Sequence, residues 1–276
     1  MAGKAFVVTS GKGGVGKTTV TANLGTALAL QGKQVCVIDS DIGLRNLDVV
    51  MGLENRIVYD LVDIIEGTCT RLKQALIKHK KADKLFLLPA SQTRNKESIS
   101  PDQMKDLMAK LKDEGQFDYI LVDSPAGIER GFKNAIAGVD DAIIVTTPEV
   151  SAIRDADRII GLLQAAEIYE PRLIINRLSL EMVRNDDMMD QYDIIDILAI
   201  DLLGIVPEDE GIIRSTNRGI PIVFTEDSKS AEAFKRIARR IEGEKVPMWP
   251  MSEANRGLMA RLKRLFGLDR KEPERV

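Results

Sequence analysis

Eight consecutive residues near the start of the chain, Gly11-Lys12-Gly13-Gly14-Val15-Gly16-Lys17-Thr18, restrict its possible folds more than any other stretch. They satisfy GxxxxGK[ST], and they join an apolar β-branched run at 5–9 to a stretch of helical spacing at 18–31. A loop of this kind needs that strand-to-helix setting, because its glycines let backbone N–H groups converge on phosphate oxygens while the helix N-terminus adds a positive dipole. Lys17 is then expected to reach the β and γ phosphates, the Thr18 hydroxyl to ligate Mg²⁺, and Thr19 to continue the cradle.

The rest of the chain repeats the alternation. Further short apolar runs at 35–39, 85–88, 119–123, 142–147, 173–176 and 203–206 read as buried parallel strands, with helical spacing at 102–112, 151–166 and 230–241 between or beyond them. Strand alternating with helix predicts a doubly wound α/β fold, a mostly parallel sheet flanked by helices in the P-loop NTPase manner. Ligands of such sheets bind beyond the carboxyl ends of the strands. A length of 276 residues with 44% hydrophobic content suits one core with appendages.

Several chemistries find no support. Cys36 and Cys69 are far apart and form no metal-spaced cluster, so reduced thiols in a cytosolic protein are expected rather than a disulfide framework or an iron-sulfur site. His79, the single histidine, lies among Lys78, Lys80 and Lys81 and reads as a solvated loop residue remote from any nucleophile. No uninterrupted apolar run of about 18 residues occurs, so any membrane contact is expected to be peripheral. Asn95-Lys96-Glu97-Ser98 has serine where a guanine-reading loop needs a carboxylate, which makes ATP the expected nucleotide.

Candidate metal and base ligands sit at strand ends. Asp39 and Asp41 follow the second run, and Asp123 closes the apolar Tyr119-Ile120-Leu121-Val122, where it suits a water-mediated Mg²⁺ contact or, alternatively, the cap of the next turn. Asn176 ends another run, and its amide offers both a donor and an acceptor to an adenine edge, although asparagine there also serves as a plain turn residue.

Lys12 carries the reading further. With it, Gly11 to Thr19 reads GKGGVGKTT, and the chain adds DSDIGLRNLD from Asp39, LPASQTR from Leu88, DSPAGIE from Asp123 and TTPEVSAIRDADRI from Thr146. Together these resemble the MinD/ParA family of deviant Walker A ATPases over nearly the whole length. The resemblance implies that Lys12 reaches the nucleotide of a second copy, so that an ATP-bound homodimer precedes efficient hydrolysis. It also implies that Asp41 positions the attacking water, that Asp39 supports Mg²⁺ or its water shell, and that Arg177 and Pro207 join Asn176 around the base. Implied too are the septation inhibitor MinC and the stimulator MinE as partners, a partner face around Arg154 and Asp155, and a cytoplasmic protein that cycles to the membrane to place the division septum. The alternative within the family is a ParA-type DNA-segregation ATPase.

The C-terminus favours lipid. Beyond an ATPase domain at 1–245 and a proline-bearing linker at 246–252, residues 253–268 form a basic amphipathic segment, followed by a polar tail at 269–276. On a helical wheel Leu258, Met259, Leu262, Leu265 and Phe266 share an arc of about 120°. Arg261, Lys263 and Arg264 fall outside it, as in a helix lying among anionic headgroups. Docking of that apolar face on the protein's own core is the other reading. Residues 252–276 hold seven Lys/Arg against four Asp/Glu within a chain of net charge -3. The positive charge is therefore local, and no nucleic acid is expected as partner.

Overall fold

The computed structural model describes residues 3–95 and 98–248, and in it the apolar runs line up as one eight-stranded sheet. Its strands are β1 (Lys4–Thr9), β2 (Val35–Asp39), β3 (Ile77–Lys78), β4 (Leu85–Leu88), β5 (Tyr119–Asp123), β6 (Asp141–Thr146), β7 (Arg172–Leu178) and β8 (Leu202–Pro207). Their order is β3-β4-β2-β5-β1-β6-β7-β8, with every pairing parallel except β3 with β4. From β1 the chain steps to one side for β2 to β4 and β5, then crosses to the other for β6 to β8. The carboxyl ends flanking β1 thus form the crevice where a doubly wound sheet takes its ligand.

Helices cover both faces. They are α1 (Lys17–Leu30), α2 (Leu47–Val50), α3 (Leu61–Ile65), α4 (Leu72–Ala75), α5 (Pro101–Glu114) and α6 (Arg130–Ala135), then α7 (Val150–Ala165), α8 (Leu180–Arg184), α9 (Gln191–Leu198), α10 (Glu210–Asn217) and α11 (Lys229–Ile241). Alternate strand residues feed two cores: Phe6, Val8, Val37 and Leu121 pack with Leu24 and Leu28 of α1 and Phe234 and Ile237 of α11. Ala5, Val7, Ile38 and Ile120 face the opposite way, toward Met104 and Leu111 of α5 and Ile159 and Leu163 of α7. Burial on both faces is why these strands read as continuous apolar runs rather than alternating ones.

The structure corrects one reading. His79 is buried, 5% exposed, with its ring stacked on Phe224 at 5.5 Å between centroids. Its Nδ1 accepts the Lys81 N–H at 3.1 Å, and the ring also bonds the backbone of Met51. Burial first, then the neighbouring Lys81 and Lys80, push its pKa down from 6.5 to about 4. Because the folded state holds the imidazole neutral, stability contributed by this residue is complete above pH 6.5 and is lost as pH falls toward about 4. His79→Phe keeps the stack but cannot titrate. The melting temperature of the wild type relative to this variant is therefore expected to drop by about 3 °C or more across that interval, as read by thermal melts at several pH values.

Candidate active site

The phosphate loop leaves β1 and enters α1 through Gly16, which adopts the left-handed conformation at φ 96°. A Cβ there would lie 2.4 Å from Asn176 Nδ2, so both the turn and the fit against β7 require glycine. No side chain caps α1, and no acidic residue occupies its first turn. Its leading N–H groups and dipole are thus left to an anion.

Two threonines and a lysine of α1 meet a strand-end carboxylate. Asp123 is buried at the end of β5 and accepts hydrogen bonds from the Thr18 hydroxyl and, at 3.1 Å, from Thr21 Oγ1. Burial, followed by the charge of Asp39, raises its pKa to about 7, against the opposing pull of Thr18, Lys17 and Thr21. A buried carboxylate under that strain is well suited to a cation. Lys17, 7% exposed, donates to Ser10 Oγ at 3.0 Å. Burial lowers its pKa, and the charges of Asp123 and Asp41 resist the change.

Asp39 lies beside Asp123 in the β2–β5 register. Its oxygens accept the backbone N–H groups of Asp41, Asn46 and Leu47, each at 3.0 Å. Burial raises its pKa while these three bonds pull it down. Both oxygens are thus engaged in folding the 41–47 segment, so Asp39 shapes the loop that carries Asp41 toward Lys17.

The residues expected around the base lie on β7 and β8. Asn176, 3% exposed, donates Nδ2 to the Val15 carbonyl at 2.8 Å, and its Oδ1 is buried without a hydrogen-bond partner among the described residues. One acceptor therefore remains for a ligand. β7 continues past Asn176 to Leu178, with exposed Arg177 at φ 56° and Leu178 in register with Pro207, the last residue of β8. A cavity of about 640 Å³ opens beyond Pro207, lined among others by Glu208, Asp209, Arg214, Arg218 and Lys229. It adjoins the end of β8, its lining includes none of residues 11–19, and none of the residues named here was singled out from the sequence.

Lys12 points elsewhere. Its Nζ donates to Glu149 Oε2 at 2.9 Å and to Ser151 Oγ at 3.1 Å, at the N-terminus of α7, and its side chain is 40% exposed. That hydrogen bond holds the Glu149 carboxyl below its ordinary pKa. Arg154, exposed, and Asp155, half-buried, follow on the same helix. The structure thus gathers Gly11 to Thr19, Asp39, Asp41, Asp123 and Asn176, with Arg177 and Pro207 at adjoining strand ends. Leu258, Met259, Arg261, Leu262, Lys263, Arg264, Leu265 and Phe266 lie outside the described residues. Ser10 and Thr21 were missed, since a hydroxyl before the loop and one inside an apolar helix carry no motif of their own.

Residues fit for ATP and Mg²⁺ are therefore present. Among the described residues no group of three or more His, Cys, Asp or Glu could hold a metal ion. Mg²⁺ would rest on the Thr18 hydroxyl, phosphate oxygens and water oriented by Asp123, in keeping with its reluctance to shed its shell. When bound it would neutralise charge on the phosphates.

An uncapped helix opening on a glycine loop, with the helix's own threonines bonded to a buried carboxylate at the end of the neighbouring strand β5, is the arrangement of a P-loop NTPase. Comparison with known proteins narrows the class. A family model described as ParA, NUBPL iron-transfer P-loop NTPase, matches residues 2–242. The chain is 56% identical over 268 residues to the septum site-determining protein MinD of Bacillus subtilis, covering 96% of this chain and 99% of that one. Among solved structures it is similar to MinD in the MinC:MinD cell division protein complex of Aquifex aeolicus, with TM-score 0.84 and 48% identity over 91% of this chain and 100% of that one. It is also similar to the septum site-determining protein MinD complexed with Mg-ADP from Pyrococcus horikoshii, with TM-score 0.76 and 30% identity over 88% and 99% of the two chains. The chain belongs to the MinD family, and it is an ATPase.

Proposed function

We propose that this septum-site ATPase works as a nucleotide-timed membrane clamp. ATP pairs two copies, the pair inserts its two C-terminal segments into anionic lipid, MinC is recruited to that surface, and hydrolysis, stimulated by MinE where present, lets both segments go. The likeness to the Aquifex MinD of a MinC:MinD complex supports MinC as the partner, and the basic amphipathic composition of residues 253–268 supports lipid.

The observation that carries the reading is the position of Lys12. It belongs to the phosphate loop, yet within one chain its ammonium is fastened to α7 and partly open to solvent. A cation so placed serves catalysis when a second copy closes against it, which makes turnover conditional on pairing. In the closed site the loop N–H groups and Lys17 hold the phosphates, Thr18 and Asp123 hold Mg²⁺, Asp41 orients the attacking water, and Lys12 from the other copy balances charge on the transferring group. Asn176, Arg177 and Pro207 hold the base.

Sedimentation with phosphatidylcholine and phosphatidylglycerol vesicles, or with DNA, in ATP and in ADP tests this directly. The protein is expected to pellet with vesicles in ATP and to stay in solution in ADP. Equal vesicle binding in both nucleotides would refute the clamp, and salt-sensitive retention on DNA in ATP would favour the ParA-type alternative.

A further inference from the structure

The chain leaves the globular body through a fixed point built on one arginine. α11 ends at Ile241, and its last turn closes by bonds from Gly243 N–H to the Arg240 carbonyl and from Glu244 N–H to the Arg239 carbonyl, with an ion pair between Arg239 and Glu244 at 2.8 Å. The chain then folds back along the start of β8. There the Arg240 guanidinium donates three ways: Nη1 to the Leu203 carbonyl at 2.9 Å, Nε to Val246 at 3.0 Å and Nη2 to Pro247 at 2.7 Å. Gly204 makes room for it, since a Cβ there would sit 2.4 Å from Ile237 Cγ1 and 3.2 Å from Arg240 Nη1.

We propose that Arg240 is a positioning residue for the lipid-binding segment: by clasping Val246 and Pro247 against β8 it fixes where, and on how short a leash, residues 252–268 depart from the body. The inference rests on the membrane reading above and deepens it. A planar guanidinium bonded to one strand carbonyl and two tether carbonyls cannot be replaced by a lysine, whose compact ammonium lacks the fork that spans them. Without the clasp the last fixed residue retreats from Pro247 to Glu244. The number of residues between the last held one and residue 252 then grows from about five to about eight, and the effective concentration of each segment at the bilayer falls with tether length.

The test uses the full-length protein with Arg240→Ala and Arg240→Lys. Trypsin cleavage between Lys245 and Val246, followed by mass spectrometry, is expected to run about tenfold faster in Arg240→Ala, because that bond no longer sits in a held segment. Half-saturation with phosphatidylcholine and phosphatidylglycerol vesicles in ATP is expected to need about two to five times more lipid, with Arg240→Lys in between and hydrolysis without vesicles unchanged. Deleting residues 248–250 in the Arg240→Ala background shortens the leash again and is expected to restore vesicle affinity, a rescue that a merely structural role would not give. Should Arg240→Ala fail to fold, Arg240→Lys with the same deletion carries the comparison. Faster cleavage with undiminished vesicle affinity, or unchanged cleavage, would overturn the proposal. Wild-type protein that ignores vesicles in ATP would instead overturn the membrane reading itself, before any Arg240 variant is consulted.

Discussion

Ended at Met251, the protein is expected to keep nucleotide binding and unstimulated hydrolysis while its ATP-dependent sedimentation with vesicles falls to background. The body supports the first half, because every residue gathered at the phosphate loop precedes the end of α11 at Ile241. The second half follows from magnitudes. Were Leu258, Met259, Leu262, Leu265 and Phe266 buried in lipid as proposed, each side chain would contribute up to roughly 1.5 to 3 kcal/mol, before shallow insertion reduces the sum. Ordering a helix of about a dozen residues, marginal alone in water, consumes much of this. On the proposed reading one segment would therefore be a weak anchor, whereas two in a pair would gain roughly 10² to 10⁴ in avidity. Truncation removes both at once. Sedimentation of the shortened protein at the wild-type level would show that lipid is held by some other surface.

Lys12→Ala is expected to lower ATP turnover by about 10³, the scale of a cation supplied to a transferring phosphoryl group from outside its own chain. Its effect on ATP affinity of the isolated chain should be small, within about threefold, because the ammonium bonds Glu149 and Ser151 while Lys17 occupies the loop interior beside Ser10. Phosphate release and equilibrium nucleotide binding, measured on the same preparation, separate the two effects. Full turnover by Lys12→Ala would remove the reason to require pairing. Loss of affinity equal to the loss of rate would place the lysine in its own site.

How far the sequence announced this structure depended on where each signal resides. β2, β4 and β5 have the bounds their apolar runs suggest, since a strand buried on both faces writes its burial continuously into the chain. β3 was not legible. It has two residues, one of them Lys78, and it exists because Ile77 and Lys78 pair with Leu87 and Phe86 of β4. The same segment hid His79, whose stacking partner Phe224 is remote in sequence, so a lysine-rich context suggested solvent where the fold supplied an aromatic lid. At the site, motif and strand position located Lys17, Thr18, Asp123 and Asn176. The hydrogen bonds that divide their duties were beyond reach, because they depend on how loops close: Asp39 accepts three N–H groups of the 41–47 segment, and Asn176 donates to Val15 of the 11–16 segment.

The two rims of the sheet carry a last consequence. At one, β3 offers just two antiparallel residues; at the other, Leu203 lies between Leu202 and Gly204, which pair with β7, and its carbonyl is already taken by Arg240. One rim thus offers only a two-residue strand, and at the other the Leu203 carbonyl is withdrawn from any incoming strand. For copies that meet on a bilayer, as the proposed function has them do, that arrangement disfavours ribbon growth at these two rims.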